Sequence, residues 1–233
     1  MRLNKLLSEY GVCSRRTADR YIAEKRVTVN GTAAVMGQQA DPEKDEICVD
    51  GKKIEGRPKR TVIAYNKPAG IVCSTVSQGK EKNDIIAALG LDIRVFPVGR
   101  LDRDSTGLIL LTNDGDLTDR VLRSKNGHEK EYLIRLDSDL SDDELRLIAR
   151  GGITLIENRK TKPCRISRLG PERYDVILTE GMNRQIRRVC GYFGKEVLSL
   201  QRIRFMNIKL DGLKEGEYRF LSKEETDGLY NLI

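Results

Sequence analysis

Residues 98–115 read Val-Gly-Arg-Leu-Asp-Arg-Asp-Ser-Thr-Gly-Leu-Ile-Leu-Leu-Thr-Asn-Asp-Gly. The run Leu108, Ile109, Leu110 and Leu111 closes on the turn signal Asn-Asp-Gly, which predicts a strand in the core. Arg100 and Asp102, two positions apart, stand just ahead of it. Charged groups set against an apolar run are costly unless they are paired or working. The residues alone leave two readings open: a solvated loop before a core strand, or a functional carboxylate with its cation.

Length and composition bound the rest. A chain of 233 residues accommodates one large domain, or a large and a small one. A hydrophobic fraction of 39% supplies a core, and the net charge is +7. Placement says more than the total. Residues 1–31 carry seven basic side chains against three acidic ones, and residues 182–204 carry six against one. Two basic concentrations favour a polyanion-binding surface over general solubility. The five cysteines show no zinc-site or redox-pair spacing, and with a single histidine a Cys/His metal site is not expected. Arg2 and Lys5 interrupt the start, so no signal peptide is read there. No run approaches the roughly 20 apolar residues of a membrane span. The expectation is a reduced, soluble, cytoplasmic protein without a membrane or metal partner.

Leu3, Leu6 and Leu7 predict a helix over 2–9, stopped by Gly11, and Ser14 is placed to cap a second helix reaching about Lys25. Val-Thr-Val-Asn-Gly at 27–31 predicts a strand entering a tight turn, and 47–51 predicts another. Residues 56–60 have linker composition, dividing the chain into 1–56 and 61–233. Beyond the linker, strands are expected at 62–65, 71–74, 132–136, 153–156, 163–169, 173–179, 196–200 and 203–209. Helices are expected over 85–90, capped by Asn83 or Asp84, from an Asp116 cap to Leu122, from Ser141 to about Ala149, over 183–193, and after Ser222. The fold class is α+β.

Arg-Leu-Asn-Lys-Leu-Leu, Ser-Arg-Arg and Val-Thr-Val-Asn-Gly within residues 1–50 resemble the S4 RNA-binding domain, two helices and a small β unit. That resemblance implies that Arg15, Arg16, Lys25 and Arg26 sit against RNA phosphates. The segment from 98 to 115 resembles the catalytic signature of bacterial ribosomal pseudouridine synthases of the small-subunit-synthase type. The implied catalytic domain is a mixed, mostly antiparallel β-sheet with flanking helices. The resemblance implies that Asp102 of Arg-Leu-Asp is the catalytic carboxylate and that Arg100 is the side chain entering the space left by a flipped base. Asp104 falls outside the triplet and reads as a turn or capping residue. His-Glu-Lys-Glu-Tyr at 128–132 resembles the second motif, with Tyr132 as the active-site tyrosine. Lys130 there supports the site or touches phosphate, while His128 precedes the motif and receives no catalytic role. Gly-Met-Asn-Arg-Gln-Ile-Arg-Arg at 181–188 resembles the third motif, whose Arg187 pairs with the catalytic aspartate, leaving Arg184 and Arg188 for phosphate. Asn66-Lys67-Pro68 matches a motif at the start of such domains and reads as a structural turn.

Detaching uracil from C1′, turning it and rejoining it through C5 moves no electrons between partners, so the resemblance implies no cofactor and no metal. The second and third motifs, with Arg-Phe-Met-Asn-Ile at 204–208, most resemble the large-subunit branch of the family, pseudouridine synthase F. The expected partner is large-subunit (23S) ribosomal RNA and the expected state a monomer. Small-subunit or transfer RNA as substrate stays open, as does a non-catalytic S4-type assembly factor. A DNA-binding regulator built on the two short helices is a further alternative.

Overall fold

The computed structural model describes residues 1–74, 84–123 and 127–233. It divides into two units, Met1–Arg60 with Asp92–Arg94 and Asn113–Gly115, and Thr61–Leu91 with Val95–Thr112 and Asp116–Ile233.

In the first unit α1 (Leu3–Glu9) and α2 (Arg15–Ala23) face a four-stranded sheet of β1 (Val27–Val29), β2 (Thr32–Ala33), β3 (Ile47–Val49) and β4 (Lys52–Lys53), ordered β2-β1-β3-β4. Ser14 caps α2 by accepting from the Thr17 amide. Asn30-Gly31 and Asp50-Gly51 all have positive φ, the requirement of two-residue turns that match strand twist. Leu3, Leu6, Leu7, Ala18, Ile22, Val27 and Ile47 form its core.

The second unit is built on a nine-stranded sheet, counted over the described residues. Its strands are β5 (Val62–Lys67), β6 (Phe96–Pro97), β7 (Thr106–Thr112), β8 (Lys130–Leu136), β9 (Arg165–Gly170), β10 (Arg173–Leu178), β11 (Val197–Phe205), β12 (Ile208–Lys209) and β13 (Tyr218–Phe220). The order β13-β5-β7-β11-β8-β10-β9 is antiparallel throughout except for β7 beside β11, with β6 on β7 and β12 on β11. The helices are α3 (Ile85–Leu89), α4 (Gly115–Leu122), α5 (Asp142–Arg150), α6 (Gln185–Tyr192) and α7 (Lys223–Asn231). Strand β7 is the apolar run of the signature, and its four aliphatics are at most 1% exposed. A core of Val62, Ala64, Leu108, Leu110, Leu117, Val121, Phe205 and Leu229 packs one face of this sheet under α4 and α7.

Several expectations shift. Residues 71–74 make only the bridge Val72 to Asp84, and 153–156 only the bridge Thr154 to Lys160. There the Leu155 amide donates to the Arg159 carbonyl at 2.9 Å, closing a tight loop around a short 3₁₀ turn at Ile156–Asn158 instead of extending a strand. The pieces 196–200 and 203–209 join as β11 with β12 hooked back on it. Asp116 falls in the first turn of α4 and is not its cap. Asn83 lies outside the described residues, and Asp84 caps α3 by accepting from the Ile86 and Ala87 amides at 3.0 and 2.8 Å.

Candidate active site

The loop carrying Arg100, Leu101 and Asp102 leads into β7 and is tied down by backbone and buried side chains. The Ser105 amide donates to the Asp102 carbonyl at 3.1 Å, making the loop a turn, so Asp102 and Asp104 do not follow strand alternation. Leu101 is buried, and its amide approaches the Cys73 Sγ at 3.4 Å. Lys67, at the end of β5, is fully buried. Its ammonium donates to the carbonyls of Pro68 at 2.7 Å, Ile71 at 3.0 Å and Arg103 at 3.3 Å. Burial pushes this lysine below its ordinary pKa. It stitches the turn after β5 to the loop of Asp102, so the Asn-Lys-Pro motif holds the site as well as turning the chain.

Gly107, the second residue of β7, has φ of +98°, and a Cβ there would lie 2.3 Å from the Arg202 carbonyl oxygen. Only glycine lets β7 and β11 approach so closely.

Asp102 lines a cavity of about 450 Å³ together with Arg100, Tyr132, Lys130, Arg184 and Arg187. Tyr132 is buried on β8, and Arg100 is exposed at the cavity, with no partner among the described residues. A second cleft, of about 600 Å³, runs along the other side of the loop past Gly70, Asp104 and Arg184. The arginines fall differently from the expected pairing. Arg184 Nη1 lies 3.7 Å from Asp102 Oδ2, whereas Arg187 reaches Asp104 at 3.2 Å and donates to the Val197 carbonyl at 2.7 Å. Arg187 makes no ion pair with Asp102 in this structure. Arg184 also grips Asp104 with both terminal nitrogens, at 3.2 and 3.3 Å.

Asp104 is therefore the hub of an ion-pair cluster, not a cap. Burial opposes its ionisation, but the Arg184 hydrogen bond and the Arg187 charge outweigh it and hold the carboxyl below the usual range. Arg184 reaches both carboxylates from a left-handed residue, φ 52°, immediately before α6. The helix start is buttressed by the buried Glu180, which accepts from Gln185 and from the Lys162 amide, both at 2.8 Å. Arg188 turns back onto Asn183 and is exposed.

In the first unit Arg15, Arg16 and Lys25 are exposed. Arg26, expected among the phosphate contacts, is instead committed within the unit. Its Nε and Nη2 donate to Asp50 at 2.8 and 2.6 Å, and its guanidinium stacks 3.9 Å from the Tyr21 ring. Sequence reading also passed over Arg202, which lines the same cavity from β11. Its alternation with Leu200, two positions earlier and buried, was the available signal of an inward face.

The S4 fold over residues 1–34 and the RNA pseudouridylate synthase domain over residues 61–192 both match known families. The chain belongs to the RNA pseudouridine synthase family, and is an isomerase of that class carrying an S4 domain. It is 46% identical over 235 residues to the dual-specificity RNA pseudouridine synthase RluF of Escherichia coli O6:H1, an alignment covering the whole chain and 79% of that protein. The ribosomal small subunit pseudouridine synthase A of Yersinia pestis is 35% identical, with 97% of this chain and 96% of that protein covered. A crystal structure described as a pseudouridylate synthase superposes with a TM-score of 0.68 at 29% identity, covering 98% of this chain and 99% of that one. No helix among the described residues is long and apolar enough to cross a membrane.

Proposed function

We propose that this chain is a cytoplasmic, monomeric enzyme that isomerises uridine to pseudouridine at a specific site in large-subunit ribosomal RNA. The observation that carries the reading is Asp102 at the edge of a cavity shared with Tyr132, with Arg184 3.7 Å away. The net reaction breaks N1–C1′ and forms C5–C1′. The C5 proton is released and N1 gains one. Asp102 supplies the anion that meets positive charge developing at C1′, with the Arg184 guanidinium 3.7 Å away. Tyr132 stacks on the extruded uracil. Arg100 fills the space that the base vacates, offsetting an unstacking cost of a few kcal/mol. Arg187 holds Asp104 and through it the position of Arg184. The exposed Arg188, with Arg15, Arg16 and Lys25 of the S4 unit, meets phosphates.

Large-subunit RNA is favoured by the motif resemblance to the large-subunit branch; the relative RluF is named for dual specificity, and transfer RNA, left open by the sequence, is tested beside it. RNAs labelled with tritium at uridine C5 are incubated with the wild-type chain and with Asp102→Ala. Release from large-subunit RNA by the wild type alone is expected. Release by neither while RNA still binds overturns the catalytic reading and leaves an RNA clamp, and release by both removes Asp102 from the chemistry. Release from small-subunit or transfer RNA only would move the substrate.

A further inference from the structure

The cavity beside Asp102 contains three nitrogen-bearing side chains that the proposed chemistry leaves unused: His128, Lys130 and Arg202. Arg202 is 2% exposed. Its Nε donates to the Leu108 carbonyl at 2.6 Å, while Nη2 is buried with no hydrogen-bond partner among the described residues. His128 is 8% exposed and hydrogen-bonds the Arg120 backbone, leaving its Nε2 buried and unpartnered. Lys130 donates once, to the His128 carbonyl at 3.1 Å, and has two further protons to give. Both cations rest on one ring, the Lys130 ammonium 5.7 Å and the Arg202 guanidinium 5.2 Å from the centre of Phe205. Buried polar atoms left unpaired cost free energy, and two such atoms beside a half-used ammonium in one cavity point to a ligand that completes them.

The chemistry of that ligand follows from what is free. Burial, reinforced by the Lys130 charge, holds the His128 imidazole below its usual pKa, so it is neutral near pH 7. With Nδ1–H given to the Arg120 carbonyl, Nε2 carries the lone pair. The cavity thus offers one acceptor and two cationic donors. Uracil carries the complement on one edge: the donor N3–H flanked by the acceptors O2 and O4. Resting on the reading of this site as a uridine isomerase, we propose that His128, Lys130 and Arg202 hold the extruded base by that edge. His128 Nε2 accepts from N3–H, and one cation donates to each carbonyl oxygen.

The arrangement suits a base that has to turn over. Rotation about the N3–C6 axis exchanges N1 with C5, as the isomerisation requires, and exchanges O2 with O4 while N3 stays in place. One acceptor for N3–H and a cation for each oxygen hold the ring equally in both orientations, so the turn costs no recognition. Cytosine presents an amine where uracil has O4 and a lone pair at N3. It would set donor against donor and acceptor against acceptor, a strong ground for rejection.

The test uses a stem–loop cut around the uridine that the wild-type chain modifies, synthesised with C5-tritiated uridine or 3-methyluridine at that position. The wild type should release label from uridine and be slowed about 100-fold by the N3 methyl group. His128→Asn keeps a donor for the Arg120 carbonyl but lacks the Nε2 acceptor. It should be slowed about tenfold on uridine and lose most of its discrimination between the two substrates. Lys130→Met and Arg202→Met should slow both substrates alike, because methylation spares the oxygens. His128→Asn matching the wild type on uridine, or keeping the full 3-methyluridine penalty, overturns the proposal. If His128→Asn melts early, His128→Met decides: a folded Met variant has no acceptor and should be slow on uridine and indiscriminate, and one that keeps both the rate and the 3-methyluridine penalty refutes the proposal. A wild type that modifies no uridine refutes the parent reading, an outcome distinct from all of these.

Discussion

Asp102 and Asp104 are the same residue type two positions apart, and their surroundings separate them. Asp104 takes the close contacts of Arg184 and Arg187, while Asp102 keeps only the longer approach of Arg184 and an open side toward the cavity. A carboxylate fully engaged by two guanidiniums is a poor reactant, and a less engaged one beside a cation is a good one. Asp102→Asn is therefore expected to lower single-turnover tritium release by about 10³-fold or more, with RNA still bound. Asp104→Asn should lower it by only about tenfold, by loosening Arg184, and should tighten RNA binding, because one anion leaves the site. Filter binding beside single-turnover rates checks both, and an Asp104→Asn rate equal to wild type would reduce that cluster to a surface ion pair. The motif drew attention to Asp102, which the structure places at the cavity. The exchange of partners between Arg184 and Arg187 was not legible, because it depends on a left-handed residue before α6 and on a turn at 102–105. His128 was set aside because it precedes the second motif, and Arg202 was passed over because it lies beyond the third, although both line the same cavity.

At the scale of elements, the strands beside the site carry costs that packing offsets. Gly107 has no side chain because β7 lies parallel against β11 at that point, with Arg202 as its register partner. Gly107→Ala should destabilise the chain by about 3 kcal/mol or more, from a backbone clash added to left-handed strain, measured by urea unfolding. The glycine was visible in the sequence, but its reason was not, since the two strands are some ninety positions apart. On β8, burial and then the Arg202 charge bring Lys130 down to about 8. A base whose folded pKa is depressed is bound to fewer protons folded than unfolded, so its cost to stability is complete below pH 8 and fades as pH rises toward 10.5. Lys130→Met should consequently stabilise the fold by about 2 kcal/mol at pH 7, and this advantage should shrink across that window. Equal gains at pH 7 and pH 10.5 in urea melts would mean that Lys130 is not buried as a charge. The helices after Ser14, Ser141 and Ser222 were readable because their caps are local; the capping boxes at Ser141 and Ser222 form as side-chain chemistry dictates. Residues 153–156 were misread because Ile-Thr-Leu-Ile has strand composition. The chain instead folds back on itself between Ile153 and Thr161, after Gly151 and Gly152, both at positive φ.

For the whole molecule the question is which of its many basic side chains remain available to a polyanion, since a count of charge does not tell. Arg15, Arg16 and Lys25 are exposed in the S4 unit, whereas Arg26 is spent on Asp50, Glu24 and Tyr21. The Asp50 hydrogen bond raises the Arg26 pKa further and lowers that of Asp50, so the pair is mutually stabilised in the free protein. An arginine already neutralised releases few counterions when RNA arrives. Arg15→Ala with Arg16→Ala should therefore weaken RNA binding and reduce the slope of log K against log salt by about one to two. Arg26→Ala should leave that slope within error and lower the thermal midpoint of the S4 unit instead, through loss of the Asp50 pair and the ring contact. Reading both quantities on each variant, at several salt concentrations, separates a phosphate contact from a structural one. A slope that falls with Arg26→Ala and holds with the Arg15 and Arg16 changes would place the RNA on the opposite set of side chains, and the S4 surface assigned from exposure would have to be redrawn around β1 and β3.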